Sequence, residues 1–178
     1  MLIKNSETHY GQVARVLHWT SVVLLVTAFI YGDQSAGLED GAEKSSAIAQ
    51  HISYGLLLLA IMLSRFAWRQ HNHNPVESYR IARWQKFTAL GVHWFIYSAV
   101  VVQCLLGMIQ SDLLDVRLGL FEVLWIPPLL ADNPEAGERL GDVHAALSNL
   151  ILVALTVHIT AAIYHQIFGV LEPEDPMP

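Results

Sequence analysis

Four long apolar segments constrain the fold more than any other feature of this chain of 178 residues. A membrane-spanning helix needs about 20 consecutive, mainly apolar residues, and we place such segments at 13–31, 47–68, 87–109 and 143–168. Only 15% of the residues are charged, whereas a soluble domain usually has about 25%. The sequence therefore predicts an all-α protein, an integral membrane four-helix bundle that forms a single domain over residues 1–178.

Charge and cysteine content exclude several classes of function. The formal net charge is −6, which argues against nucleic acid as a partner, because binding to phosphates requires a basic surface. The chain has one cysteine, Cys104, so it has no intrachain disulfide. It also lacks the C-x-x-C-H motif, which excludes a covalently attached c-type haem.

The distribution of basic residues predicts the orientation in the membrane. They are concentrated in the N-terminal flank and between the second and third apolar segments, at Lys4, Arg15, Arg65, Arg69, Arg80, Arg83 and Lys86. The other two connections contain only Lys44, Arg117 and Arg139. Since Lys and Arg are enriched on the cytoplasmic side, we expect both termini to be cytoplasmic. Membrane lipid then surrounds the bundle.

Histidines inside the apolar segments are the strongest indication of chemistry. His144 and His158 are fourteen residues apart in HAALSNLILVALTVH. In an α-helix this separation is about 1,400°, close to four turns, and about 21 Å along the axis. Both imidazoles therefore lie on nearly the same face. Ionisable side chains within a membrane helix are costly and usually mark a functional site.

Two other histidines lie at matching depths once the orientation is applied. His18 is near the cytoplasmic start of the first segment, and His51 is near the periplasmic start of the second. The fourth segment runs inward, so His144 is near the periplasm and His158 is deeper. Depth therefore pairs His51 with His144 on the outer side and His18 with His158 on the inner side.

Facing imidazoles from two helices suit the two axial positions of a haem iron. Zinc would need four ligands, and neither cysteine nor carboxylate lies near these depths. Because both axial positions would be filled, the expected chemistry is one-electron transfer. For any single histidine, an interhelical hydrogen bond is the alternative role, but four histidines in two level pairs favour two haem groups.

Four further residues are candidates for supporting roles. His165 is the competitor of His158 for the inner ligand position, since it lies seven residues further on the same face. Arg15 and His93 are candidates for contacts to a haem propionate or a quinone. The alternatives are a membrane anchor for Arg15 and an interhelical hydrogen bond for His93. Gly55 either lets a porphyrin approach the second helix or serves close helix packing.

The four apolar regions resemble the helices of the bacterial cytochrome b561 family, which is related to cytochrome b subunits of nickel hydrogenases and other respiratory dehydrogenases. The resemblance covers roughly residues 8–168. It is carried by the His-Trp of HYGQVARVLHW, the His-x-x-x-Gly of HISYGLLLLAIMLSRFAWR, the segment GVHWFIYSAVVVQCLLGMI and the histidine spacing of HAALSNLILVALTVHITAAIYH.

The resemblance implies two haem b groups with His18, His51, His144 and His158 as axial ligands of the iron. It also implies a multi-pass protein of the bacterial inner membrane that exchanges electrons with quinones such as ubiquinone. One branch of the family oxidises superoxide and passes the electrons to ubiquinone.

Three functions are compatible with these features. The first is electron transfer between the quinone pool and a redox partner on the periplasmic side, such as a basic c-type cytochrome. The others are an enzyme of the superoxide:ubiquinone oxidoreductase type and a membrane subunit of a dehydrogenase complex. Charge favours the first, since a negative face repels superoxide and attracts a cationic protein. The expected periplasmic connections carry Asp33, Glu39, Asp40, Glu43, Asp112, Asp115, Glu122, Asp132, Glu135, Glu138 and Asp142.

Overall fold

Four helices account for most of the chain in a computed structural model, which describes residues 3–6, 9–72 and 83–168. Within these residues the elements are α1 (Gln12–Gly37), α2 (Ala42–His71), α3 (Arg83–Leu113), β1 (Gly119–Leu120), β2 (Leu124–Trp125) and α4 (Pro134–Phe168). All four helices are long and apolar enough to cross a membrane. The predicted all-α membrane bundle is therefore confirmed, with one short β-hairpin added. The side of the membrane on which the termini lie stays a prediction.

Helices α1, α2 and α3 extend beyond the predicted apolar segments at both ends, and α4 extends beyond its segment at its start. Arg65, which the sequence analysis counted with the basic connection although it falls within the segment 47–68, lies inside α2. The connection between α3 and α4 is also shorter than expected and spans residues 114–133. Pro134 is the first residue of α4, and the Asn133 side chain accepts a hydrogen bond from the backbone N–H of Ala136 at 3.2 Å. Asparagine before proline is a favoured start of a helix. Arg80 and the C-terminal tail lie outside the described residues.

The helices pack in sequence order and leave one side of the bundle open. α1 packs on α2, α2 on α3, and α3 on α4. In the described part of the chain, no Cα atom of α1 comes within 8 Å of one in α4. Many of the large apolar side chains point outward and remain exposed, as expected for a surface in contact with lipid. Space between α1, α2 and α4 is therefore available for a bound group.

A closely packed layer crosses the middle of the bundle. It consists of Leu58 and Met62 from α2, Ala99 and Val100 from α3, and Ile151 from α4. Ile151 is 1% exposed and lies seven residues from both His144 and His158. The layer therefore separates the space around His144 from the space around His158.

The 114–133 connection folds back onto α2 through a buried serine. The Ser53 hydroxyl, on α2, accepts a hydrogen bond from the backbone N–H of Phe121 at 2.8 Å and donates one to the Ala49 carbonyl at 2.7 Å. The Phe121 ring meets Tyr54 edge to face, with centroids 5.3 Å apart. These contacts fix the β1–β2 hairpin against the helix that carries His51.

Candidate functional site

The imidazoles of His51 and His144 face each other across the bundle. Their ring centroids are 6.0 Å apart, and the ring planes are at 78° to each other. Both rings line a cavity of about 460 Å³, a volume in the range of cofactor sites. A metal held between two imidazole nitrogens at about 2.0 Å would separate the centroids by roughly 6 Å. The spacing fits a metal with two axial histidines.

The protonation of His51 also fits a metal ligand. Its Nδ1 lies 2.7 Å from the Ala28 carbonyl of α1, so Nδ1 carries the proton and donates it. A hydrogen bond from one ring nitrogen sets the tautomer and leaves the other nitrogen free to bind a metal. The Nδ1 of His144 is buried and has no hydrogen-bond partner among the described residues.

Three glycines shape this cavity. A Cβ atom at Gly32 of α1 would lie 2.9 Å from the His51 ring, and one at Gly107 of α3 would lie 3.1 Å from the Cε1 of His144. A larger residue at Gly32 or Gly107 would therefore collide with the neighbouring histidine ring. Gly55, singled out from the sequence, lines the same cavity, and a Cβ there would meet no atom within 4 Å. Because Gly55 has no side chain, the cavity has open space there for a flat ligand.

Gln103 of α3 holds the backbone around His144. Its side-chain Nε2 donates hydrogen bonds to the His144 carbonyl at 2.9 Å and to the Ser148 hydroxyl at 2.6 Å. Its Oε1 is buried without a partner in the described part of the chain. The sequence analysis did not identify this residue, although a lone glutamine within VVVQCLLG is a detectable signal.

A second cavity, of about 320 Å³, lies on the other side of the packed layer and is lined by His18, His158 and His93. The structure thus brings the predicted pair to one cavity together with a third histidine. The rings of His93 and His158 are in contact, with centroids 4.8 Å apart. This spacing is too short for a metal between them, because two bonds of about 2.0 Å require roughly 6 Å. The geometry therefore does not suit His93 as the partner of His158 across a metal, and His18 is the other histidine that lines this cavity.

Basic side chains contribute to the lining of the second cavity. Arg15, Arg65 and Arg69 all line it. The Arg65 guanidinium donates from Nη2 to His18 Nδ1 at 3.1 Å and from Nη1 to the Ser21 hydroxyl at 2.8 Å. His165 lines neither of the two cavities and packs beside Tyr164 at 5.7 Å between ring centroids.

Residues 9–172 match the family model for prokaryotic cytochrome b561. The chain belongs to the prokaryotic cytochrome b561 family. This confirms the resemblance inferred from the sequence and covers all four helices. The cytochrome is therefore a transmembrane haem b electron-transfer protein, and with four helices able to cross a membrane it is a multi-pass protein of the bacterial inner membrane. A comparison with curated proteins gives no match.

The residues of this cytochrome fit a haem at two places. At the first cavity the fit rests on the spacing of His51 and His144 and on the glycines beside their rings. At the second it rests on His18 and His158 lining one cavity together with cationic side chains. A haem carries carboxylate groups as well as iron, so cations at one edge of its site are expected.

Proposed function

We propose that this cytochrome holds two haem b groups and carries electrons between the quinone pool and a redox partner on the periplasmic side of the membrane. His51 and His144 would be the axial ligands of one haem, and His18 and His158 those of the other. The observation that carries the proposal is the 6.0 Å spacing of the His51 and His144 rings across a cavity of cofactor size.

Each part of the chain has a defined role in this proposal. A haem with two histidine ligands supplies one-electron transfer at its iron and has no open position for oxygen. The Ala28 carbonyl orients His51, and Gln103 positions the backbone of His144. The packed layer around Ile151 excludes water between the two cavities. The two sites are about 21 Å apart along α4, so together they form a path along the bundle axis.

The charges at the hairpin end of the bundle support a cationic protein partner. Apart from Asp112, which is buried and accepts a hydrogen bond from the backbone N–H of Leu129 at 2.9 Å, the acidic residues named above are exposed. Two of the three cations there are already paired, Lys44 with Asp40 at 2.8 Å and Arg139 with Glu135 at 2.6 Å. Arg117 lies over the Trp125 ring. The surface therefore offers little attraction to superoxide, which is a small anion.

Counting haem groups in ligand variants tests the cofactor part of the proposal. We expect two b-type haems per chain by pyridine haemochrome quantitation, and one in each of His51→Ala, His144→Ala, His18→Ala and His158→Ala. The first two variants should lose the same haem, and the last two the other. His165→Ala is the control and should retain both. Loss of different haems by His51→Ala and His144→Ala would show that the pairing is wrong.

The redox partner is tested separately by kinetics. We expect rapid oxidation of the quinol-reduced protein by a basic c-type cytochrome, and slow reduction by superoxide. Fast reduction by superoxide with no measurable exchange with the cytochrome would contradict the proposal and indicate a superoxide:ubiquinone oxidoreductase.

A further inference from the structure

Arg65 is a cation inside the membrane-spanning part of α2 without a carboxylate partner. It is half-buried, and its guanidinium lies 4.8 Å from the centre of the Tyr97 ring. Among the described residues, no Asp or Glu oxygen lies within 4 Å of Arg65, Arg69 or Arg15. A charged group in an apolar span is costly and is normally balanced by an opposite charge. The wall of this cavity therefore lacks an anion.

Haem ligation by His18 through Nε2 would break the hydrogen bond from Arg65 to His18 Nδ1. A guanidinium only donates hydrogen bonds, so His18 Nδ1 accepts and its Nε2 carries the proton. An axial ligand needs a coordinating nitrogen without a proton, and Nδ1 faces Arg65 at 3.1 Å. Binding of iron through Nε2 would move the proton to Nδ1. Arg65 would then lose its acceptor and need another.

Trp68 provides a second donor beside Arg65. The two residues are three positions apart on α2 and so lie on one face of the helix. Both line the second cavity. The indole Nε1 of Trp68 is buried and has no hydrogen-bond partner in the described part of the chain. A buried donor without an acceptor costs free energy, so an acceptor from a bound group would stabilise this arrangement.

We propose that Arg65 and Trp68 bind a propionate carboxylate of the haem held by His18 and His158, and that Arg65 exchanges the His18 ring for this carboxylate when the haem binds. The inference rests on the proposed function, because that function places a haem in the cavity. The guanidinium and the indole N–H supply donors for the two oxygens of one carboxylate. The released Nδ1 of His18 can then carry its proton.

The test uses the holoprotein in a His144→Ala background, which retains only this haem under the proposed function. Haem labelled with ¹³C at its carboxylates identifies their bands in the redox-induced infrared difference spectrum. We expect these bands to shift in Arg65→Gln and in Trp68→Phe. Trp68→Phe is the sharper variant, since it removes one N–H without changing charge. Release of haem to apomyoglobin should accelerate on the order of tenfold in Arg65→Gln, because hydrogen bonds to charged groups are the strong ones.

Two controls separate this role from a structural one. Ser21→Ala removes the hydrogen bond from Arg65 to the Ser21 hydroxyl and keeps the charge of Arg65. Arg117→Gln removes a cation at the opposite end of the bundle. Both should match the background protein in band position and release rate. Unchanged carboxylate bands in both Arg65→Gln and Trp68→Phe would overturn the inference, as would an equal effect of Ser21→Ala. A His144→Ala background that retains two haems would instead contradict the proposed function.

Discussion

Space beside each imidazole is controlled by single residues. A Cβ atom at Gly32 would lie only 2.9 Å from the His51 ring, and one at Gly107 only 3.1 Å from the His144 ring. A buried ring cannot shift freely in a closely packed interior. The identity of one small residue on a neighbouring helix therefore decides whether a histidine can point into its cavity.

Gly32→Ala tests this steric control. We expect the added methyl group to displace the His51 ring and to lower haem occupancy of the His51/His144 cavity to less than half, while the other haem remains. Gly91→Ala is the matched control, because a Cβ there meets no atom within 4 Å. That control should retain both haems and gain about 0.5–1 kcal/mol in stability from its helix interior. Equal haem content in the two variants would contradict the steric argument.

The hairpin between α3 and α4 is held against α2 by contacts of Ser53 and Tyr54. Ser53 is 1% exposed, and its hydroxyl satisfies the backbone N–H of Phe121. The hairpin turn places both Phe121 and Glu122 in the left-handed region, with φ of 50° and 58°. Non-glycine residues adopt this conformation only where surrounding contacts hold it. Ser53 and Tyr54 provide those contacts.

Ser53→Ala should therefore loosen the connection while the helices remain intact. We expect a loss of about 1–3 kcal/mol, the range for leaving a buried donor unsatisfied, together with faster proteolysis within residues 114–133. Ser64→Ala is the control on the same helix. Among the residues that the structure describes, its exposed hydroxyl bonds only to the Ala60 carbonyl, at 2.8 Å. Thermal unfolding in detergent and limited proteolysis measure both effects, and equal behaviour of the two variants would refute the anchoring role.

The molecule as a whole is electrically asymmetric. Arg15, Arg65 and Arg69 surround the cavity of His18 and His158, whereas the opposite end carries the exposed acidic residues. At that end Lys44 donates a hydrogen bond to Asp40 and holds the pKa of that carboxyl below its usual range. A lowered pKa keeps a carboxylate ionised to lower pH. Asp40 therefore stays ionised to a lower pH than a free aspartate.

Electron exchange with a basic c-type cytochrome should depend strongly on salt. We expect the second-order rate to fall at least tenfold between 0.01 and 0.2 M ionic strength, because the Debye length falls from about 30 Å to less than 10 Å. The double variant Glu39→Gln with Glu43→Gln should lower the rate at low salt by slowing association of the two proteins. The control is Glu7→Gln with Glu77→Gln, which removes the same number of charges on the side predicted to be cytoplasmic. Stopped-flow rates that are independent of salt would contradict docking at the acidic end.

The sequence by itself determined the helices and the four ligand candidates. Span length and apolar composition decide whether a segment crosses a membrane, and both are local properties. The spacing of His144 and His158 is equally local, because helix periodicity converts fourteen residues into one face and two depths. The family resemblance rests on the same motifs, which explains why it could be stated before the fold was known.

Only the tertiary structure decided which side chains meet across helices. Arg65 counted only as one of the basic residues that set the orientation, but the packing of α1 against α2 brings it to His18, and Gln103 reaches the backbone of His144 from α3. The close approach of Gly32 to His51 likewise depends on how α1 packs against α2. The left-handed residues of the hairpin, Phe121 and Glu122, are neither glycine nor asparagine, so the sequence does not indicate their conformation. Each of these features arises from contacts between residues distant in sequence, which the periodicity of a single helix does not contain.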